Sequence, residues 1–135
     1  MMKKVIVILF ASIVLFGCDN DKKQETALLN DVIKTHDKLM ADDDAIMKNK
    51  MILKELAKTD NTIKDSVAVY SKSLDDADNS MMNWMSKFSP DFKGKTHEQI
   101  MTYLNEQKSQ ILKLDTQINK AVSTSNTYIS KVKKK

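Results

Sequence analysis

From Ile63 to Phe88 the apolar side chains recur at alternating steps of four and three: Ile63, Val67, Tyr70, Leu74, Ala77, Met81, Trp84 and Phe88. That spacing keeps one stripe on one face of a helix and forms a heptad seam. Pro90 pushes the residue before it out of the helical region, so the pattern predicts a helix over 62–88. A second seam runs through Ile100, Leu104, Gln107, Ile111, Leu114, Ile118, Ala121, Ser125 and Tyr128. It begins just after Thr96, whose hydroxyl with the Gln99 amide makes a capping box, and predicts a helix over 97–130. The seam weakens through Ser123, Thr124, Ser125, Asn126 and Thr127. The stretch 26–58 is less regular. Leu29, Val32, His36, Leu39, Ile46 and Leu53 keep register, but Asp43 and Lys50 fall on the same seam. Asp42-Asp43-Asp44 also sits where aspartate is a poor helix former, so the helix either continues across polar defects or breaks there with Asp44 as a cap. Short connections make neighbouring helices antiparallel. The expected fold is all-α: an up-down-up, coiled-coil-like three-helix bundle, roughly 40–50 Å long at 1.5 Å per residue.

A different pattern precedes the seams. Lys3-Lys4 leads into an apolar run, Val5 to Phe16, that suits a signal h-region and is shorter than the roughly 20 residues a membrane span needs. It closes on Leu15-Phe16-Gly17-Cys18, which resembles the lipobox of bacterial lipoproteins: aliphatic, variable, small, cysteine. The expectation is a signal peptide over 1–17, cleavage between Gly17 and Cys18, lipid on the Cys18 thiol, and a polar tether over 18–25. Two or more acyl chains, at about 0.8 kcal/mol per buried CH₂, give durable attachment without a protein span. Asp19 resembles the inner-membrane retention signal of enteric bacteria, yet sorting rules differ among bacterial groups, so either membrane is open. The expected location is the cell envelope, with the domain facing the periplasm or the exterior.

Composition narrows the rest. Loss of residues 1–17 leaves about 118 of the 135 residues, enough for one small domain. Cys18 is the single cysteine, so no internal disulfide is possible. With Gly 2, Pro 1 and 30% charged residues, long helices are favoured. The formal charge of +4 falls to near +2 once Lys3 and Lys4 are removed. Every basic residue is lysine. Readers of bases and phosphates favour the arginine fork, so no nucleic-acid partner is expected. Lys131 to Lys135 form a small basic tail.

Candidate chemistry is sparse. There is no phosphate cradle, no thiol nucleophile beyond Cys18, and neither His36 nor His97 lies in a nucleophile motif. The acidic runs Asp42–Asp44 and Asp75-Asp76-Ala77-Asp78 lack the glycine and spacing of a calcium loop and read as solvated faces. No catalytic residue and no cofactor is expected, and the chain reads as a non-enzyme. One set stands out. His36 precedes Met40 by four residues, Met47 precedes Met51 by four, Met81, Met82 and Met85 cluster, and His97 precedes Met101 by four. Residues four apart share a helix face, and thioether with imidazole suits Cu(I). Methionine also fills irregular cores, which is the plainer reading. Geometry separates the two. In an up-down-up bundle His36, Met40, Met85, His97 and Met101 fall at one end. Converging nitrogen and sulfur atoms there favour a metal; side chains interleaved with Trp84 and Phe88 favour packing.

The segments His36-Asp37-Lys38-Leu39-Met40, Asp75–Phe88 with its Met81-Met82-Asn83-Trp84-Met85 centre, and Tyr103-Leu104-Asn105-Glu106-Gln107-Lys108 together resemble a group of small helical lipoproteins of Bacteroidetes-type bacteria. These are often labelled "viral A-type inclusion protein". The resemblance covers roughly Leu28 to Ile118 and implies a helical lipoprotein without known catalytic residues. The group often has a histidine after its Trp-Met pair, where this chain has Ser86. The expected role is a membrane-anchored, non-enzymatic interaction or structural module, with lipid bound through Cys18 and a protein partner or a second copy as binding mate. The alternative is a periplasmic Cu(I)-binding protein.

Overall fold

The computed structural model describes residues 17–134, and the expected signal segment lies outside them apart from Gly17. Three α-helices account for the architecture: α1 (Gly17–Thr59), α2 (Lys64–Lys87) and α3 (His97–Lys133), with a single 3-10 turn at Asn61–Ile63. Among the described residues there are no strands, and the three helices pack on one another as a bundle. Cross-helix contacts set the directions. Asp31 meets Lys108, Lys38 meets Asp115 and Asn49 meets Ser125, so α1 and α3 run parallel. His36 meets Met85 and Lys50 meets Asp75, so α2 runs antiparallel between them.

The seams become the core. Val32, Leu39, Ile46 and Leu53, spaced by sevens, are all at most 1% exposed. From α2 come Val67, Leu74, Ala77, Met81 and Trp84, and α3 buries its seam from Ile100 to Ser125. One of the polar seam positions of α1, Lys50, is matched across the interface. Lys50 pairs with Asp75, and that hydrogen bond, with the further charges of Asp75, Asp78 and Asp43, holds its ammonium above the ordinary value of 10.5. Asn49 is buried on a neighbouring position and donates to Ser125 Oγ (2.8 Å) and Asn126 Oδ1 (2.9 Å).

The termini are made locally. Asp60 accepts from the Thr62 backbone N–H at 2.9 Å and starts the turn into α2. α2 stops at Lys87, with Phe88 already extended ahead of Pro90. In the loop that follows, the Lys95 N–H donates to the Phe92 carbonyl and Gly94 takes φ 76, a left-handed value that glycine adopts without cost. Thr96 and Gln99 form the expected capping box.

Three expectations about extent need correction, and one open alternative is decided. Residues 18–25 are the first turns of α1 rather than a tether, because Asp21 and Glu25, four apart, both face His97 at the start of α3. The Asp42–Asp44 run does not break α1. Three aspartates cost about 2 kcal/mol in helix propensity. Full burial of the flanking Leu39 and Ile46 contributes about 1.5–3 kcal/mol each, so packing wins. α3 continues to Lys133, taking in most of the expected basic tail, since Ile129 is buried and Tyr128 stacks on Tyr70 at 4.5 Å. Its Ser/Thr-rich stretch is helical too, with the hydroxyls of Thr124 and Thr127 turned back to carbonyls four residues earlier. The molecule is also longer than expected: the 43 residues of α1 span about 64 Å.

Candidate functional site

The histidines and methionines singled out from spacing divide into two places. Nine loop residues, 88–96, separate α2 from α3, and α3 begins opposite Glu25 rather than opposite His36. His36 stands eleven positions beyond Glu25 in α1, about 16 Å along the axis. His97 is therefore held by carboxylates: Nδ1 lies 2.8 Å from Glu25 Oε1 and Nε2 3.7 Å from Asp21 Oδ1. It fastens the start of α3 to the first turns of α1. Met101, half-buried, is one turn further along α3.

His36, Met40 and Met85 come to one groove, between α1 and α2. His36 Nε2 lies 3.3 Å from Met85 Sδ, and His36 Nδ1 lies 3.1 Å from Asp37 Oδ1. One turn further along α1, Met40 lines a narrow crevice of about 60 Å³ with Met81, Met82 and Met85. Asp43 and Asp78 form the crevice's polar end, and Leu39, Ile46 and Ile118 its floor. Met81 is core, whereas Met40 and Met82 are exposed. The groove is thus open on one side and apolar beneath. His36 also packs on aromatic surface: its ring centroid is 5.9 Å from that of Trp84, which stacks on Phe88 at 4.9 Å. Tyr103 continues the stack and accepts a hydrogen bond from the Ser89 N–H at 2.8 Å. The Trp84 indole Nε1 is buried and unpaired.

Asp37 and the acid pair Asp43 and Asp78 did not stand out in the sequence as parts of this groove. Asp37 follows His36 directly, and neighbours in sequence do not share a helix face, so spacing gave no reason to pair them. Among the described residues no group of three or more His, Cys, Asp or Glu side chains is placed to hold a metal. Of the acidic run on α2, Asp75 and Asp76 are engaged elsewhere, with Lys50 and Lys72.

Two further features bear on function. Cys18 is a free, exposed thiol in the first turn of α1. Along α1, Ile33, Met40, Met47 and Met51 are all exposed. Their spacing of seven, seven and four keeps them within about 40° of one line, a strip about 27 Å long. Comparison with protein-family models, with curated proteins and with solved structures finds no match for the chain.

Proposed function

We propose that the chain is a bacterial lipoprotein of the cell envelope: a helical, non-enzymatic module attached to a membrane through acylated Cys18. The observation that carries this reading is the run of Lys3-Lys4, the apolar segment 5–16 and Leu15-Phe16-Gly17-Cys18. In support, the thiol is exposed, and among the described residues no helix is long and apolar enough to cross a membrane. Attachment at Cys18 puts the base of α1 at the bilayer. Because α3 runs parallel to α1, Lys131 and Lys133 then lie at the opposite pole, about 50 Å or more away along the bundle axis. The bundle acts as a rigid stand-off, and the exposed strip on α1 is the surface for packing on a partner protein or a second copy. Its resemblance to small helical lipoproteins of Bacteroidetes-type bacteria points the same way.

The test is metabolic labelling with a clickable palmitate analogue, followed by membrane fractionation. The native chain is expected to take the label and stay with membranes; Cys18→Ser is expected to lose both. A Cys18→Ser chain that still carries label and pellets with membranes overturns the proposal.

A further inference from the structure

We propose that the groove between α1 and α2 binds a single soft monovalent ion of the Cu(I) type, with His36 Nε2, Met85 Sδ and Met40 Sδ as its ligands. The two ring nitrogens of the imidazole face different groups. The Asp37 carboxylate can only accept, so at 3.1 Å it fixes the Nδ1–H tautomer. Nε2 then carries the lone pair, and that lone pair faces Met85 Sδ, a second electron-pair donor, at 3.3 Å. Two donors aimed at one point suit a bound cation. Bonds of about 2.0 Å to nitrogen and 2.3 Å to sulfur, ordinary lengths for a first-row ion, enclose about 100° at that N···S separation. A histidine whose other nitrogen donates to a carboxylate is also the usual arrangement around a bound metal.

The third ligand follows from helix geometry. Met40 stands one turn from His36 on the same face and lines the crevice with Met85. It is exposed and unbranched, so its sulfur can swing in without disturbing the core. A nitrogen and two thioethers, all neutral, select a soft ion of low charge over Zn²⁺ or Ca²⁺. The Trp84 ring lies 5.9 Å from the imidazole, near enough for its emission to report on the site. His97 is not part of the site; its ring nitrogens face Glu25 and Asp21.

The experiment is an anaerobic titration of the full chain in detergent with Cu(I), in competition with the chromophoric chelator bicinchoninate. One equivalent is expected to bind more tightly than micromolar. Trp84, the single tryptophan, is expected to change its emission on binding. His36→Gln and Met85→Leu should each weaken binding at least about tenfold. Asp37→Asn, which releases a positioning residue, should weaken it by about tenfold. Met51→Leu and His97→Gln should leave it unchanged. In case a variant folds poorly, methyl NMR of the native chain labelled at methionine gives an independent reading: Cu(I) should move the Met40 and Met85 methyl signals and leave that of Met51 in place. Binding no tighter than micromolar, affinity unchanged in His36→Gln or Met85→Leu, or shifts confined to Met47 and Met51 would each overturn the site. In any of those outcomes the His36–Met85 approach is an N–H···S hydrogen bond of the core. Acylation of Cys18 plays no part in the result.

Discussion

Trp84 is 6% exposed, stacks on Phe88 at 4.9 Å, and buries an indole N–H that has no acceptor. Two substitutions separate its apolar contribution from that defect. Truncation to alanine removes most of a side chain that buries roughly 200 Å², an upper bound of about 5 kcal/mol at 25 cal/mol per Å². Tryptophan-to-alanine changes in cores cost about 3–5 kcal/mol. The unpaired N–H already costs the native state about 1–3 kcal/mol, and truncation relieves it. The expected net loss for Trp84→Ala is therefore about 2 kcal/mol, the middle of the first range less the middle of the second. Trp84→Phe keeps the ring against Phe88 and removes the donor, so the smaller area and the relieved N–H nearly cancel; the expected change is within about 1 kcal/mol. Equilibrium urea unfolding followed by far-ultraviolet circular dichroism measures both, since tryptophan emission is lost in each variant. A loss below about 1 kcal/mol for Trp84→Ala would show that the ring is not core. A loss above about 3 kcal/mol for Trp84→Phe would show that the indole N–H is satisfied in solution and that the accounting above fails.

The buried polar layer between α1 and α3 should respond asymmetrically. Asn49→Ala leaves Ser125 Oγ without its donor and is expected to cost about 1–3 kcal/mol, while Asn49→Leu with Ser125→Ala, which replaces both partners, should be closer to native stability by the same urea assay. Equal losses in the two would refute the pairing. For the Lys50–Asp75 pair, hydrogen bonding raises the folded-state Lys50 value above 10.5. Its contribution is then fully present below about pH 10.5 and fades as pH rises through the raised folded value. The alkaline decline of Tm should therefore be shallower in Lys50→Met than in the native chain; identical slopes would place the pair outside the folding equilibrium.

The helical class and the core membership were readable from the chain because both depend on periodicity, which is local. Val67, Leu74, Ala77, Met81 and Trp84 on α2, and Ile100 to Ser125 on α3, lie inside as their spacing requires. The capping box was likewise legible, since Thr96 and Gln99 act within one turn. Register between helices was not, because it rests on pairings 70 or more residues apart in sequence, such as His97 with Glu25 and Asn49 with Ser125. Those pairings carried α1 back to Gly17, while burial of Leu39 and Ile46 kept it unbroken through three aspartates. They also divided the candidate ligands. Spacing put His36 beside Met40 and His97 beside Met101 as two equivalent pairs. Only the register of α2 and of α3 along α1 decided that His36 faces a thioether on α2, while His97 faces two carboxylates on α1. A heptad repeat says which side of a helix is buried, but every shift by seven residues buries the same side. The choice among those shifts belongs to the specific polar and aromatic contacts that the folded bundle forms.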